Sequence, residues 1–409
     1  MVKTKEDLMG LKKHLLFSIT VILALTLCSG CATIRHPVPK DLVAKATVDD
    51  MADVRMIGGM PNPLLQESII KSVDEESPGE FPKELDGTKV YPVLALSGGS
   101  ANGAYGAWLL KGWSEEGTRP VFKVVTGVST GAITAPFAFL GKEYDGELEK
   151  LYTTMSTRDV MTGKGPLRIL FGDSLMSNSP LKRQIDQAVT EKVLKRIAIE
   201  HDKGRRLFVG TTYLDTQRFV IWDMGAIAKK GNLKLFKQVI LASDAVPIMF
   251  PPVLIHVETG GVSYDEMNVD GGTITQMFTL YKVLESAEGI AKKLNVDTSK
   301  IKSKVYLIRN GYVTPGYGVV KDSLPSIAER AFDTMINNQG IGDTYRIYVF
   351  MEKRGNDYNL AFIPPEFRPE KKEEFDIHAM RELYSRGYKD AVGGYKWHKV
   401  PPGMEKQTY

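Results

Sequence analysis

Cysteine is nearly missing from this chain. Of 409 residues only Cys28 and Cys31 are cysteines, and both stand near the N-terminus. The rest of the chain therefore folds without a disulfide or a thiolate metal site. The C-x-x-C spacing of the pair fits a redox or zinc motif, but it ends an apolar run and no second pair follows, which argues against both. Histidine is scarce as well. There are six, His14, His36, His201, His256, His378 and His398, and none sits in a motif that marks a catalytic base. Charge of one sign is not concentrated anywhere. The net charge is +4, and lysines and arginines are mixed with acids along the chain. A nucleic-acid footprint needs clustered basic residues, so that class is excluded. A weak attraction to anionic lipid is compatible with this balance.

Long apolar runs are absent beyond the first segment. Lys3, Lys5, Lys12 and Lys13 precede a run from Leu15 to Leu27. The run is short for a spanning helix and has the length of a signal-peptide core. Ser29, Gly30 and Cys31 follow. This resembles a bacterial lipoprotein signal, in which residues 1–30 are removed and Cys31 is lipidated. Cys28 stands where that pattern prefers an aliphatic residue, so an ordinary secretory signal or an uncleaved anchor stays open. The resemblance implies an exported protein held to a bacterial membrane by its acyl chains, and Ala32 after the cysteine implies the outer membrane.

Residues 31–88 are rich in Pro, Gly, Asp and Glu, and Pro37, Pro39, Pro61, Pro63, Pro78 and Pro82 interrupt any long element. They read as a tether with irregular packing. From Val90 the pattern changes to two strand–loop–helix units in succession, which imply a parallel α/β sheet. Strands are expected at 90–96, 121–126, 207–214, 219–222, 304–308 and 345–351. Helices are expected at 104–116, after Ser129 to Leu140, and at 181–199, 234–243, 275–294, 326–338 and 376–387. No clean linker interrupts 89–364, which reads as one catalytic domain. Residues 365–409 read as a helical appendage.

Gly127-Val128-Ser129-Thr130-Gly131 fits G-x-S-x-G. That spacing suits a serine on a sharp strand-to-helix turn, with glycines two residues either side for close backbone approach. The helix that starts there aims its first amides at the reacting centre. Ser97-Gly98-Gly99-Ser100-Ala101-Asn102-Gly103 is a second Gly-rich turn between strand and helix. Its amides suit a developing oxyanion. A phosphate-binding loop would need Gly-Lys-Ser/Thr here, and the first lysine is Lys111. The glycines at 98, 99 and 103 also miss the dinucleotide spacing. Asp270-Gly271-Gly272 follows an apolar–polar stretch at 262–269 and places a carboxylate at a strand end.

In this order the blocks resemble the patatin-like phospholipase family. A fourth block, from Ala242 to Pro252, is similar to that family's A-S-x-x-x-P-x-x-F-P-P segment. The resemblance implies a three-layer α/β/α fold with a mainly parallel central sheet. It implies a lipid acyl hydrolase acting on membrane lipid without metal or other cofactor. Carried over by position, Ser129 is the nucleophile and Asp270 the base. Gly98, Gly99 and Ser100 supply the oxyanion hole, and Gly127 and Gly131 flank the elbow. The family's oxyanion loop carries a third Gly and then an Arg or Lys. Ser100 and Asn102 stand there instead, so this loop brings no positive charge of its own.

Two rival readings accompany this one. A His-dependent esterase or thioesterase of the α/β-hydrolase type would need His256 or His378, and the chain order Ser129, Asp270, His378 formally suits it. A membrane-anchored lipid-binding protein with a decayed site would keep the fold and lose turnover. Phe137, Phe139, Ile248, Met249 and Phe250 are candidates for an acyl pocket or for core.

Overall fold

The computed structural model describes residues 35–81, 83–165 and 172–404. The expected signal and Cys31 lie outside the described residues. Among the described residues nine strands form one sheet: β1 (Arg55–Ile57), β2 (Lys89–Leu96), β3 (Val124–Val128), β4 (Arg206–Tyr213), β5 (Arg218–Asp223), β6 (Val253–Thr259), β7 (Val262–Asp270), β8 (Ile301–Arg309) and β9 (Asp357–Phe362). Seven of them run in the order β1-β5-β4-β3-β2-β8-β9, and the hairpin of β6 and β7 joins through β7, which pairs with β4. The five strands from β9 to β4 are parallel, and β5 and β1 extend the sheet antiparallel. Every residue of β4 is buried, as a strand covered on both faces requires.

The helices that matter here are α1 (Pro63–Lys71), α2 (Gly103–Glu116), α3 (Thr130–Leu140), α4 (Asp145–Thr154), α5 (Ser179–Ala188), α6 (Glu191–Asp202), α7 (Leu233–Ser243), α8 (Leu324–Lys353) and α9 (Ile377–Val392). Strand alternation sorts them into two layers. Leu94 and Leu96 of β2 and Tyr306 and Ile308 of β8 join the core that includes α2, α3 and α9. Val93, Ala95, Val305 and Leu307 point the other way, onto Ile347 and Met351 of α8. Farther along that second face, Leu65 and Ile69 of α1 meet Phe208 and Ile221. The result is the expected α/β/α arrangement with a mainly parallel sheet.

Several local expectations change. The strand expected at 345–351 is the last part of α8: Ile347 and Met351, four residues apart, are both buried, which is helical rather than strand spacing. The edge strand beside β8 is instead β9. The single helix expected at 181–199 is α5 and α6, parted where the Thr190 side chain caps α6 by accepting from the Val193 amide. The helix expected at 275–294 runs irregularly to Leu280 and then forms two short turns, Tyr281–Ser286 and Glu288–Lys293. The segment read as a tether supplies β1, which pairs with β5, and α1, which packs on the sheet. In the C-terminal segment, α9 lies along α2, so close that a Cβ on Gly387 would stand 2.5 Å from the Tyr105 carbonyl oxygen.

Candidate active site

Strand register brings the site together. β3 runs beside the first half of β4 and ends with Val128 opposite Gly210. β7 runs antiparallel beside the next stretch of the same strand and ends with Asp270 opposite Thr211. Gly210 and Thr211 are neighbours on β4, so two strands approach along one edge and stop end to end. Ser129 and Asp270 are the residues where they stop.

Ser129 adopts φ 54° and ψ −130°, outside the regions an L residue prefers, which costs on the order of 1–3 kcal/mol. The surroundings hold it there. A Cβ on Gly127 would stand 2.3 Å from the Gly131 carbonyl oxygen, and one on Gly131 would stand 2.4 Å from the Leu96 carbonyl oxygen. The two elbow glycines are therefore needed for close approach between α3, β3 and β2. The Ser129 amide donates to the Ser243 hydroxyl oxygen at 2.9 Å, and that hydroxyl donates to the Gly210 carbonyl at 2.7 Å. The Asp270 amide donates to the Ala245 carbonyl at 2.9 Å. The end of α7 and the turn after it thus clamp the backbone of both residues.

The Asp270 side chain accepts from the Gly272 amide at 2.6 Å. Burial raises its pKa to about 7, and hydrogen bonds from Ser129 and from the Gly272 amide oppose the rise. Asp270 is 5% exposed and Ser129 9%, so the pair sits below the surface. A second buried carboxyl, Asp244, is raised well above the carboxylate range by burial and then by the charge of Asp270.

The second Gly-rich turn packs against the serine. A Cβ on Gly98 would stand 3.0 Å from the Ser129 Cβ, and one on Gly99, at φ 155°, would stand 1.9 Å from the Asn310 carbonyl oxygen. Ser97 fixes the turn: its hydroxyl accepts from the Asn310 amide at 2.8 Å, and its carbonyl accepts from the Asn310 side chain at 2.9 Å. One expectation changes here. The Gly98 amide donates to the Gln276 carbonyl at 3.1 Å, so it is already engaged. Among the described residues the Gly99 and Ser100 amides donate to no acceptor. Gln276 also donates from its side chain to the Gly272 carbonyl at 3.2 Å. Its own amide, with the Thr275 hydroxyl, is held by Asp343 of α8 at 2.7 and 2.8 Å. A single brace therefore links the Gly-rich turn at 97–103, the Asp-Gly-Gly turn and α8. Asn102 accepts at 3.1 Å from Lys371 of the C-terminal segment.

Among the described residues, no histidine joins this cluster. His256 is 69% exposed and pairs with Asp265 at 2.6 Å. Asp265 lies five residues before Asp270 on β7, about 17 Å away along the strand. His378 is 84% exposed and pairs with Glu382 at the start of α9. His201 is buried beside Asp223, at 3.7 Å. Of the acyl-pocket candidates, Phe139 is wholly buried under Arg205 and Phe250 belongs to the core. Phe137 faces a small apolar cleft with Ile133, Leu151, Met155 and Ile240, one to two turns along α3 from Ser129. Ile248 is 64% exposed.

Sequence reading passed over Ser243, Gln276, Asn310 and Asp343. Ser243 carried a signal, its place in the block before Asp270. Asn310 carried a weaker one, a polar residue directly after a buried strand. Gln276 and Asp343 had none.

Residues 94–280 match the family described as patatin-like phospholipase. Among solved structures, the chain is similar to the crystal structure of VipD from Legionella pneumophila, with 12% identity over 78% of this chain and 71% of that one, at a TM-score of 0.35. No curated protein matches the chain.

Proposed function

From the premise that this chain carries a patatin-like phospholipase domain at residues 94–280, we propose that it is a lipid acyl hydrolase working through Ser129 and Asp270. The observation that carries the proposal is the meeting of β3 and β7 on one edge of β4, which sets a buried carboxyl of raised proton affinity against a serine on a strained turn. Asp270 accepts the Ser129 proton as Oγ attacks the ester carbonyl. A base whose pKa lies near the working pH is both deprotonated and proton-avid enough for this step. The Gly99 and Ser100 amides receive the oxyanion, and Gly98 serves by close approach rather than as a donor. Asp270 returns the proton to the leaving alcohol as the carbon–oxygen bond breaks. The acyl-enzyme is cleared when water attacks and gives its proton to Asp270, which returns it to the Ser129 oxygen as the acyl–oxygen bond breaks and the fatty acid leaves.

Fluorophosphonate labelling of the full chain tests this reading. Wild type is expected to label, and Ser129→Ala to remain unlabelled and folded. Asp270→Asn is expected to label at least a hundredfold more slowly. Labelling that survives in Ser129→Ala sinks the assignment. The His-dependent reading finds no support in the positions of His256 and His378. We also propose that Cys31 carries the membrane anchor; incorporation of labelled palmitate that Cys31→Ala does not abolish overturns that assignment.

A further inference from the structure

The feature left over is an apolar arm at the sheet edge that carries the site. β8 and β9 are parallel, so the helix between them must run back against the strands and begin beyond their C-terminal ends. That edge is where β2 leads into the oxyanion turn and β3 into Ser129. α8 is level with the strand ends at Asn337, which accepts from Arg309 of β8 through its carbonyl at 3.0 Å and its side-chain oxygen at 2.7 Å. Leu324 begins the helix thirteen residues earlier, so the first part projects about 20 Å past that edge.

Over this projecting part and the loop that leads into it the core is left behind. Tyr317 is 97% exposed, Val319 86%, Leu324 81% and Met335 64%, with Ile327 at 50%. Scattered exposed apolar residues need no explanation, but a run of this kind beside a site does. The arm is braced rather than loose. Arg330 donates to the Gly316 carbonyl, and Arg368 donates to the Thr314 carbonyl at 3.1 Å. Its root is the Asp343 brace already tied to the Asp-Gly-Gly turn. On the turn after α7, three residues beyond the Ala245 carbonyl that holds the Asp270 amide, Ile248 adds another exposed apolar side chain on a strained backbone at φ 73°.

We propose that the arm from Tyr317 to Met335 is a docking surface for a lipid bilayer, inserting its apolar side chains so that the membrane meets the mouth of the site. The choice of occupant rests on the acyl-hydrolase reading, because Ser129 is recessed and an ester buried at the headgroup boundary has to be brought to it. Charge decides the kind of surface. Between 317 and 335 Lys321 and Arg330 are outnumbered by Asp322, Glu329 and Asp333, so apolar insertion rather than attraction to anionic headgroups holds the arm. Docking is therefore expected on zwitterionic vesicles and to be insensitive to salt.

The test uses the full chain with Leu324→Glu and Ile327→Glu combined, on two substrates: a water-soluble p-nitrophenyl ester and phosphatidylcholine vesicles. The soluble ester is expected to be cleaved as by wild type, which also shows that the variant folds. Vesicle hydrolysis is expected to fall at least tenfold. Equal loss on both substrates, or none on vesicles, overturns the docking surface. A polarity-sensitive fluorophore on Val319→Cys in the Ser129→Ala background reads docking without turnover. A blue shift on phosphatidylcholine vesicles that persists in 1 M salt supports the proposal even where no ester is cleaved, so failure of the catalytic reading is seen separately. No shift overturns it. Self-association in sedimentation that the two glutamates abolish, without vesicle binding, assigns the arm to a second copy of this chain and overturns the lipid occupant.

Discussion

In the proposed mechanism, Asp270 is the residue on which most of the chemistry turns. Its pKa of about 7 is set by burial against the hydrogen bonds of Ser129 and Gly272, so kcat/KM is expected to rise tenfold per pH unit below about 7 and level off above it. A pH–rate profile on a soluble ester checks this, and a profile already flat from pH 5 contradicts it. The same shift has a consequence for stability. The folded value lies above the ordinary 3.8, so the carboxyl favours folding while protonated. That contribution is complete below the ordinary value and is lost as pH rises through about 7. Asp270→Asn is therefore expected to melt several degrees higher than wild type at pH 8 and no higher at pH 4. Ser243 works differently, holding the Ser129 amide and the Gly210 carbonyl at once. Ser243→Ala is expected to cost about 1–3 kcal/mol in chemical denaturation, and to lower kcat more than it raises KM, because the elbow relaxes while the substrate surface is untouched.

At the scale of elements, the site is a meeting of strand ends and turns. The turns were legible: a glycine pair around Ser129 and another at Gly98 and Gly99 mark places where side chains cannot fit. Gly131→Ala is expected to cost about 2 kcal/mol or more, since its Cβ would overlap the Leu96 carbonyl; thermal melting and ester turnover should fall together. What the turns could not announce was their wiring. Gly98 looks like an oxyanion donor until its amide is seen to reach Gln276. Asp343→Ala leaves every turn residue in place and releases Thr275 and Gln276. Its expected effect is a fall in kcat of tenfold or more with modest loss of stability, read by paired kinetics and melting. The strand expected at 345–351 failed for a related reason. A run of Tyr, Ile, Val and Phe has strand composition, but the residues that meet the core there lie four apart.

On the scale of the whole molecule, the C-terminal appendage completes the core. α9 covers α2, with Tyr105 donating to Asp390 at 3.1 Å and Trp108 packed against Tyr384. His398 pairs through its backbone with Leu360 of β9. A chain ending at residue 364 is expected to aggregate and to bind a hydrophobic dye; a monodisperse, cooperatively melting truncation would contradict that. By itself the sequence determined the local parts of this protein. Alternating apolar residues specified the central strands, glycine spacing specified the two sharp turns, and a strand-end Asp-Gly-Gly specified where a carboxyl would emerge. These are short-range requirements, written within a few residues of where they act. Only the tertiary structure decided that β3 and β7 stop head to head on β4, that Ser243 bridges elbow and sheet, and that Gln276 engages one of the turn's amides. It also set the first part of α8 beyond the edge that carries the site. These follow from strand register and from hydrogen bonds between residues far apart in the chain, which no local pattern encodes.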